Sequence, residues 1–448
     1  MTTLPLSQLD RPLSGADFKT YRIALSHLQG NILKSHGRKA AAQVFLTFHR
    51  SSSEQAKGFF SSLAPMLTTA AEQREQTRRH RQGSSELFTA LYLSAKGYEY
   101  LGYSRGKFSK EFWKGMRAAR LGDPSPEEWE PHYRRDLHAM VLFAHDDHAK
   151  LEGHVQQLRA ELRGIAEVTA ESGQTIGEPK VVEHFGYRDG ISQPLFYESD
   201  VKGPSKNWNP RAGPNLVLIQ DPYGVSADDC GTYLVFRKLE QNVRGFRQHV
   251  LELAARLQAD GAGSELAGAM VMGRFPNGTP VALHEYPQAK YENDFRYSRS
   301  DPKGNRCPFF AHIRKTNPRG GSGAFLTQER MHRIARRGIT YGNPTPPDGD
   351  LNTLPTTGVG LLFQCCQANL ANQFEFLQRQ WANNAKFPNP KNGKDSIIGQ
   401  PANGAIHRLH FPDPWGKRGR TPFGFQSFVS MKGGEYFFAP SIPFLRSF

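Results

Sequence analysis

Cysteine is scarce in this chain, with four among 448 residues, at positions 230, 307, 365 and 366. No two stand in CxxC spacing, which excludes a thioredoxin-type redox pair, a zinc ribbon and a disulfide-built scaffold. Cys365 and Cys366 fall in an apolar, strand-like run, so buried thiols in a reducing compartment are expected. Acidic residues are also few, 42 against 57 Lys and Arg, for a formal charge of +15. Nowhere do 18 uncharged apolar residues run together, so no membrane insertion is expected. Met1 to Phe18 lacks a basic n-region, an apolar h-region and a twin arginine, and the expected location is the cytoplasm. No fixed-period repeat is visible, which sets solenoids and propellers aside. No Gly-Lys-Ser/Thr follows the glycines at 320, 321 and 323, so they do not form a phosphate cradle.

What is present describes a loop-rich globular protein: 38% hydrophobic residues, 11% aromatics, 43 glycines and 30 prolines. The length exceeds the roughly 250–300 residues at which single cores stop growing, so two domains are expected. Net positive charge suits nucleic acid, an acidic membrane surface or anionic small molecules. The densest basic cluster, Arg74 to Arg81, lacks the interleaved aromatics that stack on bases, so it is read as a solvated face and nucleic acid is not an expected partner. His145-Asp146-Asp147-His148 has the residue types of a metal site, but it joins a strand to a helix, where an aspartate serves as N-cap.

Hydrophobic periodicity predicts strands at 42–49 and 87–94 around a helix at 54–67, then strands at 139–145 and 165–169 around a helix on which Leu151, Val155, Leu158 and Leu162 share a face. This is a split βαβ pattern. After a Gly/Pro/Asn-rich stretch that begins at 203–207, the order repeats: strand 232–236, helix 243–257, strand 360–366, helix 370–382 and a last strand at 435–439. The predicted class is therefore α+β, with two ferredoxin-like domains carrying antiparallel sheets, residues 1–200 and 201–448. The second half is longer because of loops at 276–330 and 383–430, and long loops in compact domains are commonly functional.

Two segments carry chemistry, Phe185-Gly186-Tyr187-Arg188-Asp189-Gly190-Ile191-Ser192-Gln193-Pro194 and Ala311-His312-Ile313-Arg314-Lys315-Thr316-Asn317-Pro318-Arg319. Gly186 and Gly190 let a loop approach a ligand closely and aim the Asp189 carboxylate at it. His312 follows an apolar run and precedes basic residues, so its imidazole can leave a hydrophobic wall. Arg336 or its neighbour Arg337, in Arg336-Arg337-Gly338-Ile339-Thr340-Tyr341-Gly342, offers a cation that cannot deprotonate.

These strings resemble the dye-decolorizing peroxidase family, the first through its GxxDG signature and the second through the stretch holding the iron-bound histidine. The wording is closest to the long cyanobacterial and fungal branch. Leu28 to Leu33 and Tyr436-Phe437-Phe438 extend the resemblance over most of the chain. It implies a dimeric α+β barrel-like fold and one haem b, held mainly by the C-terminal domain with His312 as the metal ligand. Hydrogen peroxide would oxidise anthraquinone-type dyes, phenols and similar one-electron donors through a ferryl intermediate. Asp189 is the implied acid–base and Arg336 the implied charge stabiliser. Arg314, Lys315 or Arg319 is expected at the haem propionates, and Ile191, Leu361 and Phe363 on the cofactor pocket. Asp395, with Asn369 as the alternative, is expected to hold the other His312 nitrogen. Leu361 and Phe363 would exclude bulky dyes, making Trp381 and Tyr341 candidate surface electron relays. An acidic optimum is expected, because a carboxylate stays ionised where an imidazole has protonated. The alternative function is a haem carrier or haem-handling protein, which needs His312 but neither Asp189 nor Arg336.

Overall fold

The computed structural model describes residues 4–80, 82–83, 85–177, 180–201, 208, 211–257, 263–346, 349–390, 392–400 and 406–448. The first half contributes β1 (Ala40–Phe48), β2 (Phe88–Ser94), β3 (Ala139–His145) and β4 (Ala166–Gln174). The second contributes β5 (Ile219–Gln220), β6 (Cys230–Gln241), β7 (Ala335–Arg336), β8 (Ile339–Tyr341), β9 (Gly360–Gln367), β10 (His407–Pro412), β11 (Arg420–Phe425) and β12 (Val429–Ala439).

In the first half β1 lies between β3 and β4, and β2 pairs with β3, giving the antiparallel order β4-β1-β3-β2. The second half repeats this arrangement as β12-β6-β9-β8. Each is the strand order of a ferredoxin-like sheet. The two sheets join along both edges, through Phe437↔Ser94 and Phe438↔Leu93 between β12 and β2, and through Gly173↔Tyr341 between β4 and β8. Eight strands thus close into a ring. Gly173 permits the second joint, because a Cβ there would stand 2.7 Å from the Thr340 carbonyl oxygen. The boundary expected after residue 200 adjoins the stretch 202–207, so the predicted loop at 203–207 lies outside the described residues.

Strand alternation positions the site. On β6 and β9 one set of side chains faces the barrel core, where Phe236 packs edge-on against Phe45 with ring centroids 4.9 Å apart and Leu362 is fully buried. The other set, Arg237, Leu239 and Gln241 on β6 with Leu361 and Phe363 on β9, lines a cavity between the sheet and the second half's helices and loops. Those helices, Val243–Arg256 and Gly263–Met272, share a separate apolar core with Phe185, Phe275, Phe310 and Phe411. Gly263–Met272 escaped the sequence reading because six consecutive residues, Ala267 to Met272, are buried and leave no amphipathic stripe.

Two further details refine the expectations. The helix expected over 370–382 begins only at Phe374 and from Leu377 to Ala382 is π-helical, although Leu370, Phe374, Leu377 and Trp381 are all buried as expected. Asp147 caps the helix His148–Glu161, accepting N–H bonds from Ala149 and Lys150. All four cysteines are buried free thiols, and among the described residues no helix is long and apolar enough to cross a membrane.

Candidate active site

The Asp189 loop is a short hairpin. Val182 and Arg188 form an antiparallel bridge, the Asp189 N–H donates to the Val181 carbonyl, and Gly186 and Gly190 adopt φ of +96° and +77°. Side chains at those two positions would strain the loop. Arg336 Nη2 lies 3.5 Å from Asp189 Oδ1, which also accepts the Gly190 N–H at 2.6 Å. Both side chains line the cavity, with Ile191, Leu361 and Phe363 beside them. Arg336 is pinned by two bonds to the same loop, its N–H donating to Gln193 Oε1 at 3.2 Å and Nη2 to the Ile191 carbonyl at 3.4 Å. Its neighbour Arg337 points the other way, into the first half, where its guanidinium donates to the carbonyls of Asn31 and Ile32.

His312 opens the short helix His312–Thr316, and its Nδ1 lies 3.0 and 3.1 Å from the two Asp395 carboxylate oxygens. The ring lines the same cavity, and among the described residues Nε2 has no protein partner. Asp395 is fully buried and accepts N–H bonds from Ile397 and Ile398 at 2.8 and 2.9 Å. Burial alone would raise its pKa, but attraction to His312 and the hydrogen bonds outweigh burial and hold it below the ordinary value. Asn369 instead caps a turn, accepting the Asn372 N–H.

The basic residues of the His312 segment need correction. At about 100° per residue, His312, Ile313 and Thr316 share the face that lines the cavity, whereas Arg314 and Lys315 point elsewhere. Arg314 is buried between the Tyr297 and Phe309 rings and ion-paired with Asp301 at 2.8 Å. Lys315 donates to the carbonyls of Asn384 and Phe387 at 2.6 Å each. Neither lines the cavity. Arg314→Met should cost about 3–5 kcal/mol by leaving Asp301 without its cation, and a urea midpoint equal to the parent's would contradict that role.

Arg319 lies immediately behind the cavity wall. Its Nη2 donates to Ser192 Oγ at 2.7 Å and Nη1 to the Asn293 carbonyl at 2.8 Å. Arg274, which does line the cavity, donates to Asn293 Oδ1 at 2.5 Å. Among the described residues neither arginine has an ion-paired carboxylate, and burial, with Arg274 close by, pulls Arg319 down to about 9. Sequence reasoning missed Arg274, which stands in no motif singled out there. It also missed Arg237, Leu239 and Gln241, which the alternation of β6 could have exposed once its cavity face was known.

The two relay candidates are not surface residues. Tyr341 is 7% exposed within the core that fills the barrel, and Trp381 is 5% exposed. Trp381 stacks on Phe387 with centroids 5.2 Å apart and meets His332 and Phe376 edge-on, one turn beyond the cavity-lining Leu377 and Gln378. A Gly-x-Ser-x-Gly string at Gly102 to Gly106 lies on a turn, with Ser104 Oγ 3.2 Å from the Tyr223 hydroxyl, and not at a strand-to-helix elbow.

A histidine held by a buried carboxylate and an aspartate–arginine pair thus stand on the walls of one largely apolar cavity. No family model matches the chain. The multifunctional dye peroxidase DyP2 of Amycolatopsis sp. is 39% identical over 94% of this chain and 95% of its own. The DyP-type peroxidase of Anabaena sp. superposes with a TM-score of 0.92 at 38% identity, covering 99% of this chain and all of the other. The dye-decolorizing peroxidase msp1 of Mycetinis scorodonius is 28% identical over 94% of this chain and 87% of its own. The chain belongs to the dye-decolorizing peroxidases.

Proposed function

We infer that the protein is a haem-dependent peroxidase that uses hydrogen peroxide to oxidise dyes, phenols and related one-electron aromatic donors. The carrying observation is the pairing of Asp189 with Arg336 in the cavity that also receives His312. A haem b suits the donor set: an imidazole nitrogen that has no protein partner among the described residues, apolar walls for the macrocycle, and two buried arginines, Arg274 and Arg319, that form no ion pair among those residues. In this reading His312 Nε2 would take the iron, with Nδ1 oriented by Asp395, Arg274 would meet the propionates, and Arg319 would brace the wall behind through Ser192 and Asn293. Ile191, Leu361 and Phe363 pack near the peroxide side. Bound haem supplies the redox centre at which peroxide is reduced to water with electrons from the donor.

The chain's own residues handle protons and charge. The Gly190 N–H and Arg336 engage Asp189 Oδ1, leaving Oδ2 to take the proton from the inner peroxide oxygen and return it to the outer one. The Arg336 guanidinium favours the negative charge that develops as the O–O bond breaks. Leu361 and Phe363 would narrow the approach, so bulky dyes would give up their electrons outside the cavity.

The test is bleaching of an anthraquinone dye by the haem-loaded chain. The expected result is bleaching that requires both peroxide and haem. A haem-loaded chain that fails to bleach dye or oxidise phenols would overturn the reading in favour of haem handling.

A further inference from the structure

One carboxylate on the cavity wall has no part in the chemistry described above. Glu183 lies at the start of the hairpin that carries Asp189, and its exposed side is the cavity it lines. Its two oxygens accept three hydrogen bonds. Oε1 takes the Tyr187 N–H at 2.9 Å, and Oε2 takes the Phe185 N–H at 2.9 Å and the Gln241 side-chain amide at 2.5 Å. The backbone closes the same turn, with the Glu183 N–H donating to the Tyr187 carbonyl and the Gly186 N–H to the Glu183 carbonyl. Gln241 is the last residue of β6, and its backbone N–H is fixed to the Val359 carbonyl.

We propose that Glu183 is a positioning residue for peroxide activation. It clamps the turn 183–187 to the end of β6 and so fixes where Asp189 stands relative to Arg336. This rests on the acid–base role given to Asp189 above. The physical case is one of connection. Tyr187 is two residues from Asp189, and the bridge Val182↔Arg188 transmits the turn's geometry directly to the neighbouring peptide. Asp189 is otherwise tied locally by its own N–H, by Gly190 and by the 3.5 Å contact with Arg336. A turn that needs φ of +96° at Gly186 has few intrinsic preferences to hold it, so an internal acceptor for two of its N–H groups decides its shape. Burial raises the Glu183 pKa against these hydrogen bonds, and the nearby Asp189 charge adds to the rise.

The test is a double-mutant cycle on the haem-loaded chain, reading the second-order rate of the Soret change on adding hydrogen peroxide. Glu183→Ala should slow that rate about 10–100-fold in the parent, because small misplacements of a catalytic group have effects of this size. In an Asp189→Asn background it should slow the rate less than about twofold, because the positioned group is gone. Amide exchange over residues 183–190 should accelerate in the Glu183→Ala chain, a readout independent of turnover. Equal slowing in both backgrounds would overturn the proposal. So would an unchanged rate in Glu183→Ala while Asp189→Asn is slow, a result that leaves the role of Asp189 standing. An Asp189→Asn chain as fast as the parent would instead remove the role of Asp189 and the proposal with it. Should Glu183→Ala take up no haem, Glu183→Gln and Gln241→Leu run the same cycle. The expected factor is then about 3–10 in the parent and none in the Asn background, and equal factors would overturn the proposal.

Discussion

Asp189→Asn should slow the reaction of the haem-loaded protein with hydrogen peroxide by about 10²–10⁴-fold, the range that a positioned proton-transfer group contributes. The substitution is isosteric. An amide oxygen can still accept the Gly190 N–H that Oδ1 accepts now, so the loop keeps its turn. What is lost is the atom that takes a proton from one peroxide oxygen and returns it to the other. Haem content and the resting Soret band should therefore match the parent, and stopped-flow absorption separates the two effects. Arg336→Leu offers the companion measurement. It removes the charge 3.5 Å from Asp189 and the bond to the Ile191 carbonyl, and it should slow the same step by about 10²–10³-fold, as loss of one charge-stabilising donor does. A parent-like rate in either chain would take that residue out of the proposed chemistry.

His312→Ala should weaken haem binding by more than about 100-fold, since losing the ligand itself exceeds the 10–100-fold cost of losing a supporting carboxylate. The expected observation is loss of the Soret band on desalting. Asp395 keeps the Ile397 and Ile398 N–H bonds but loses its histidine, so the urea midpoint should fall, and a far-UV spectrum that matches the parent's tells loss of haem from loss of fold. Added imidazole should restore the band, because the cavity that received the ring remains. A His312→Ala chain that holds haem as the parent does would assign the iron to another group.

Much of this was legible in the sequence, for reasons that particular residues make plain. Val44, Leu91, Val141 and Leu234 stand in runs whose period marks strands, and Leu151, Val155, Leu158 and Leu162 show one apolar helical face. The order of these elements implied two split βαβ units, and the sheets repeat one strand order. Family wording points to Asp189, Arg336, His312 and Asp395, and the structure brings the first three to one cavity with Asp395 buried behind the histidine. The errors arose where a linear string cannot say which way a side chain turns. Arg314 and Lys315 sit two and three residues beyond His312, and the helical twist carries both off the cavity face. The sequence suggests Trp381 and Tyr341 as surface relays, but exposure depends on what packs over them, here Phe387 over Trp381 and the barrel core around Tyr341. Arg274 and Glu183 were missed because each acts through loops and partners distant in sequence, Asn293 for one and Gln241 for the other.

The most direct test of the central claim is a stopped-flow absorption record of the purified, haem-loaded chain mixed with one equivalent of hydrogen peroxide at mildly acidic pH. A peroxidase with His312 on iron and Asp189 with Arg336 at the peroxide should show a rapid Soret change that an aromatic electron donor reverses. A Soret band indifferent to peroxide would contradict the account and leave a haem-handling protein.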